Sequence, residues 1–99
     1  MSDERTSLPV THDREQSQFH AVVDGHRCLL DYRLDGTTMV ITHTWVPAAV
    51  GGRGIASILT AEAVDTAIQS GWTIVPACSY AATWLRRHPE QAAKVATKR

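Results

Sequence analysis

Two Asp-Gly pairs, Asp24-Gly25 and Asp35-Gly36, separate three runs of alternating apolar and polar residues, and they constrain the fold more than any other feature. Asp-Gly supplies the positive φ angles of a tight hairpin turn, so each pair predicts an antiparallel connection between its neighbours. In the first run Phe19, Ala21 and Val23 alternate with His20, Val22 and Asp24. In the second, Cys28, Leu30, Tyr32 and Leu34 alternate with Leu29, Asp31 and Arg33. The third, Thr38–Val46, is β-branched and aromatic, with Met39, Ile41, His43 and Trp45 expected on one face. Three strands joined by two tight turns form an antiparallel meander.

The period then changes. From Ile55 to Ile68 apolar residues recur at helical spacing, while Glu62, Asp65, Thr66 and Gln69 gather on the other side. Gly71 stands where a C-terminal cap is expected. Trp72–Cys78 reads as a fourth strand and Tyr80–Arg87 as a short helix, with Pro89 opening another helix at its first turn. Residues 1–17 read as a polar, largely flexible arm, within which Leu8–Thr11 is a candidate edge strand. Residues 18–99 then form one small α+β domain, in keeping with a chain of 99 residues.

Between the third strand and the long helix lies Val46-Pro47-Ala48-Ala49-Val50-Gly51-Gly52-Arg53-Gly54-Ile55-Ala56. Glycines let backbone approach an anion, and the first turn of a helix offers unpaired N–H groups and a positive dipole end. Arg53 adds a fixed charge, so a pyrophosphate is a natural guest. No Gly-Lys-Ser/Thr follows, which excludes a Walker loop, and the antiparallel meander upstream disfavours a dinucleotide fold. The same glycines also suit a merely structural strand-to-helix connection, and by themselves they do not separate the two readings.

The segment Gly51-Gly52-Arg53-Gly54-Ile55-Ala56 resembles the acetyl-CoA loop of the GNAT N-acetyltransferases, with Gly54 and Ala56 on the pattern and Gly51 in place of its leading Arg or Gln. The resemblance extends to a minimal, YjdJ-like subfamily through His43-Thr44-Trp45-Val46-Pro47, Pro76-Ala77-Cys78-Ser79-Tyr80 and Arg87-His88-Pro89-Glu90. Gln18-Phe19 and Asp31–Gly36 fit as well, so the likeness runs from about residue 8 to about residue 91. It implies a GNAT fold: a mostly antiparallel central sheet flanked by helices, in which two neighbouring parallel strands splay to admit pantetheine. Those strands would be Thr38–Val46 and Thr73–Cys78. Pro47 and Pro76 sit at their ends, where a residue without an N–H is tolerated because ladder pairing has stopped.

The resemblance further implies acetyl-CoA as cosubstrate, an amine as acceptor, and Trp45, Val46, Gly51, Gly52, Arg53, Gly54, Ile55 and Ala56 around the cofactor. Cys78 is a candidate acetyl acceptor or pocket wall, His43 a candidate base or core residue, and Tyr80 a candidate proton donor to the CoA thiolate or a packing residue. Trp45 stands where relatives often carry Glu and has the bulk to narrow an acceptor pocket. Transfer by direct attack or through acetyl-Cys78 is expected, with a non-catalytic acyl-CoA-binding module as the alternative.

Composition narrows the partners. Ten basic and ten acidic residues cancel, so no electrostatic case exists for nucleic acid, and no apolar run is long enough for a membrane span. Cys28 and Cys78 have no metal-like spacing and read as reduced thiols of a cytoplasmic protein. His12, His20, His26 and His88 show no ligand spacing, so no metal is expected. A domain of this size is expected as a monomer or a homodimer.

Overall fold

A computed structural model describes residues 8–96. Its elements are β1 (Thr11–Asp13), β2 (Gln18–Val23), β3 (His26–Asp35), β4 (Thr38–Trp45), a 3-10 turn (Ala48–Val50), α1 (Ile55–Ser70), β5 (Thr73–Pro76), α2 (Ser79–Arg87) and α3 (Pro89–Lys94). The sheet follows chain order, β1-β2-β3-β4-β5, with every pair antiparallel except β4–β5. The expected meander therefore forms, and α1 supplies the crossover that a parallel pair requires.

Local chemistry explains the turns. Asp24 and Gly25 both take positive φ, 50° and 78°, which closes the β2–β3 hairpin with the twist its strands need. α1 ends in a Schellman motif: Gly71 is left-handed at φ 76°, and the Trp72 N–H reaches the Ala67 carbonyl at 2.8 Å. Pro89 opens α3 as expected.

One sheet face is buried. Phe19, Ala21, Cys28, Leu30, Tyr32, Met39, Ile41 and Ile74 share a core with Ile55, Leu59, Ala63, Val64 and Ala67 of α1 and with Ala81, Trp84 and Leu85 of α2. The other face stays open, with Val22, Trp45 and Val75 exposed. At the β5 edge the Ile74 N–H donates to the Val95 carbonyl at 2.8 Å.

Two expectations need correction. The edge strand lies at Thr11–Asp13 rather than Leu8–Thr11. Leu8 and Val10 pack against the core and His12 stacks on Phe19 at 4.1 Å, so residues 8–17 belong to the fold. The remainder of the proposed arm, residues 1–7, lies outside the described residues.

The second correction concerns β4. Its register with β3 slips at Thr42: Tyr32 pairs with Ile41, but Asp31 pairs with His43 and Leu30 with Thr44. This β-bulge inserts one residue and inverts the alternation beyond it. His43 and Trp45 therefore leave the face of Met39 and Ile41 and become exposed, while Thr44 turns inward.

Candidate active site

The site begins where β4 and β5 part. Their parallel pairing runs from Thr38↔Thr73 to Ile41↔Pro76 and stops. Pro76 has no N–H to continue a ladder. The Ala77 N–H turns back to the Val75 carbonyl at 3.1 Å, and the Cys78 N–H closes on the Ile41 carbonyl at 3.0 Å. Beyond Ile41, β4 pairs only with β3, through His43, Thr44 and Trp45, so its other edge has no strand partner and leaves a gap in the ladder, the slot, at the carboxyl end of the parallel pair. Pro47 has a different local role, because its carbonyl accepts the Val50 N–H at 3.0 Å and starts the 3-10 turn.

Both following helices begin at that same end of the sheet. Before α1, Gly52 and Gly54 take φ values of 79° and 76°, left-handed conformations that favour glycine. The Gly51 N–H is used, donating to the Ala48 carbonyl at 3.1 Å. The first helical bond is from the Ile58 N–H to the Gly54 carbonyl, at 3.1 Å. The N–H groups of Gly52, Arg53, Gly54, Ile55, Ala56 and Ser57 have no acceptor among the described residues. Unpaired donors at the positive end of a helix have the chemistry that suits an anion, and this stretch is called the cradle below. Arg53 leans toward the β2–β3 turn, donating to Asp24 at 2.7 Å. Val46 is half-buried against the core, and Ile55 anchors the first turn of α1 inside it.

Cys78 precedes α2 and is half-buried. Burial pushes its thiol up. The backbone of Ala81, the Thr44 hydroxyl, and the backbones of Tyr80 and Thr44 outweigh that, so the thiol is held below its ordinary range. The hydroxyl lies 3.6 Å from Sγ. Only the bulge makes this contact available, because an unbroken β4 would turn Thr44 away. Cys28 shows the opposite behaviour: it is fully buried and its thiol is pushed up by burial alone.

The expected site residues fall into three groups. The cradle, with Gly52, Arg53, Gly54, Ile55 and Ala56, stands at one side of the slot, with Val46 and Gly51 in the approach to it. Cys78 and Tyr80 stand at the start of α2, where Tyr80 is 39% exposed and its phenol is therefore accessible. His43 and the Trp45 indole lie on the open face, while their backbone borders the slot. Thr44 was not anticipated from the sequence. The change from Met39-Val40-Ile41 to Thr42-His43-Thr44 is the one hint of the bulge, because no single alternation suits both triplets.

The groove of about 430 Å³ between α1 and α2 is a separate feature, lined by Ser57, Glu62, Asp65, Trp84 and His88 among others. Trp84 donates its indole N–H to Ser57 at 3.0 Å and stacks on His88 at 3.7 Å. Its carboxylates suit no phosphate, and it lies down the helices from the slot.

A parted parallel strand pair beside a glycine-turned helix start is the frame of the GCN5-related acyltransferases. The sequence pattern of GCN5-related N-acetyl-transferase matches residues 18–95, and the chain belongs to this family, whose members transfer an acyl group to an amine. Among curated proteins it is similar to Protein NATD1 of Xenopus tropicalis, 33% identical over 90 residues, covering 88% of this chain and 83% of the relative. It is similar also to Protein NATD1 of Mus musculus, 34% identical over 85 residues, covering 83% and 77%. The solution structure of a GCN5-like protein from Staphylococcus aureus shares the fold, with a TM-score of 0.70 at 24% identity over 89% of this chain and 86% of that one. Among the described residues no helix is long and apolar enough to cross a membrane, and no three His, Cys, Asp or Glu residues cluster as metal ligands.

Proposed function

We propose that this protein moves an acetyl group from acetyl-CoA to a primary amine. The observation that carries the reading is the run of N–H groups without acceptors from Gly52 to Ser57 beside the parted strands. In this reading the cradle holds the CoA pyrophosphate with Arg53 as auxiliary charge. Pantetheine lies along the unpaired edge of β4, which offers backbone groups from Thr42 to Trp45. The thioester is then brought to Thr44 and Cys78.

Two routes are open to the acetyl group. In the direct route the amine lone pair attacks the thioester carbonyl, the C–S bond breaks, and CoA leaves as a thiolate. His43, on the open side, takes the proton shed by the amine, and Tyr80 returns one to the thiolate. In the relayed route the Cys78 thiolate attacks first, releasing CoA, and the amine then attacks acetyl-Cys78. Direct transfer is the simpler route; the lowered thiol of Cys78 favours the second. Free thiols at Cys28 and Cys78 suit a reducing compartment such as the cytoplasm.

Calorimetry with acetyl-CoA, followed by thiol-release assays over a panel of primary amines, tests the reading. Binding with turnover of at least one amine is expected. Binding without turnover of any amine would instead favour an acyl-CoA-binding module, and absence of binding would refute both. Mass spectrometry of acid-quenched protein separates the routes, since only the relay adds an acetyl group to Cys78.

A further inference from the structure

We infer that Trp84 is a positioning residue for the cradle: it holds the Ser57 hydroxyl turned toward α2, so that the first N–H groups of α1 stay open to a ligand. This rests on the reading of those groups as the seat of the CoA pyrophosphate. A helix start commonly spends its unpaired N–H groups on a side-chain cap. The N-cap of α1 is Gly54, which has no side chain to offer, and the first turn carries no cap bond and no acidic residue. Of Ile55, Ala56, Ser57 and Ile58, only Ser57 has a side-chain acceptor. It stands three residues after the N-cap. From that place a side chain can reach back to the N-cap N–H, and serine makes local bonds of this kind.

Trp84 claims that hydroxyl first. Its indole N–H crosses from α2 and donates to Ser57 Oγ at 3.0 Å. The indole is itself fixed, being 6% exposed and stacked on the His88 ring at 3.7 Å and 13°. His88 Nδ1 donates to the Trp84 carbonyl at 2.8 Å, tying the stacking ring to the backbone that carries the indole. Thr60, three residues further along α1, shows what a hydroxyl on this helix does with no such neighbour. It bonds locally, donating to the Ala56 carbonyl at 2.8 Å.

The consequence is a matter of competition. A row of donors holds an anion best when nothing inside the protein competes for it. If Ser57 folded back onto the Gly54 N–H, that bond would have to break before a phosphate could take the group. The indole N–H is used up on Ser57, so its loss reaches the cradle through that hydroxyl.

The test reads the ligand-free protein and the complex separately. In hydrogen-exchange spectra without ligand, the Gly54 amide should exchange freely in the wild type and about three- to tenfold more slowly in Trp84→Phe, the worth of one net hydrogen bond. Adding Ser57→Ala to Trp84→Phe should return it to the wild-type rate. In calorimetry Trp84→Phe should weaken Kd for acetyl-CoA by a similar factor, and the double variant should regain wild-type affinity. Ser57→Ala alone should bind as the wild type does. A loss caused only by poorer packing at Trp84 is not undone by removing the Ser57 hydroxyl. His88→Ala, which removes the stack and keeps the indole N–H, should move both readouts the same way to a smaller degree and serves if Trp84→Phe folds poorly. Unchanged Gly54 exchange in both variants, or an affinity loss that Ser57→Ala leaves in place, would overturn the inference. If Gly54 exchange responds as described while the wild type binds no acetyl-CoA, the pyrophosphate reading fails and the hold of Trp84 on Ser57 stands.

Discussion

Gly54 offers the sharpest way to separate the cost of a backbone conformation from the cost of losing a ligand contact. It caps α1 at φ 76° and ψ 15°, and a Cβ built there meets no atom within 4 Å. Replacement by alanine therefore introduces no clash within the protein and costs only the left-handed conformation, about 1–2 kcal/mol. For a domain this small that lowers Tm by roughly 4–15 °C. Gly36 is a matched control: φ is 63°, a Cβ there also meets nothing within 4 Å, and it sits in the β3–β4 turn outside the cradle. Gly36→Ala should show a similar fall in Tm and an unchanged Kd for acetyl-CoA. Gly54→Ala should show that fall together with a weaker Kd. Alanine keeps the N–H, but its Cβ stands in the open space that a seated phosphate would fill, and displacing the phosphate from one N–H costs about 1.5–3 kcal/mol, or roughly 10- to 100-fold in affinity. Differential scanning fluorimetry gives the first quantity and calorimetry on the folded variants the second. If Gly54→Ala binds acetyl-CoA as tightly as Gly36→Ala does, the pyrophosphate is not seated on this backbone. A Tm loss at Gly54 far larger than at Gly36 would refute the assumption that the two glycines differ only in place.

Three further outcomes follow from named contacts. Thr44→Val removes the hydroxyl facing Cys78 Sγ, so iodoacetamide should label Cys78 more slowly near neutral pH and the rate profile should move to higher pH, with Cys28 unaffected. His12 is held below its ordinary value of 6.5 by burial, with Arg14 adding to the effect, and its Nε2 shares a hydrogen bond of 2.6 Å with the Tyr32 hydroxyl. The folded state then binds fewer protons than the unfolded one, so this contribution is complete above about pH 6.5 and is lost as pH falls through the lower folded value. Urea titrations from pH 7.5 to 5 should show that slope in the wild type and a flatter one in His12→Gln. Asp24→Asn removes an ion pair whose side chains are 51% and 65% exposed, so Tm should barely change. Released from Asp24, Arg53 should bind acetyl-CoA somewhat more tightly, by a margin that shrinks with added salt in calorimetry.

The parts of the fold legible in the sequence are those governed by local chemistry. Asp24-Gly25 specified a hairpin because few other pairs accept two positive φ angles. The apolar spacing from Ile55 to Ile68 and the glycine at position 71 specified a helix and its stop. The clustering of cradle residues was legible for the same reason, since they are consecutive. The direction of His43 was not. A bulge is decided by how β4 registers on β3 and by the contact of Thr42 with the Asp31 carbonyl, a tertiary matter that alternation cannot express. Thr44 was invisible for that reason, since it acquires Cys78 as a neighbour only through the slip. The early strand was misplaced because Leu8 and Val10 are apolar enough to suggest pairing, whereas they pack against the core just ahead of it.

The hydrogen bond from Ile74 to the Val95 carbonyl bears on self-association. The outward-facing donors of β5 belong to Ile74 and Pro76; the first is occupied and the second has no hydrogen to give. At the opposite margin β1 is only three residues long. Neither border therefore offers a foreign strand a row of donors to grow upon, which is how native sheets avoid templating aggregates. The protection at β5 is conditional. It lasts only while α3 remains docked through Val95, so solubility under mild heating should follow the order of that short helix more closely than the integrity of the core.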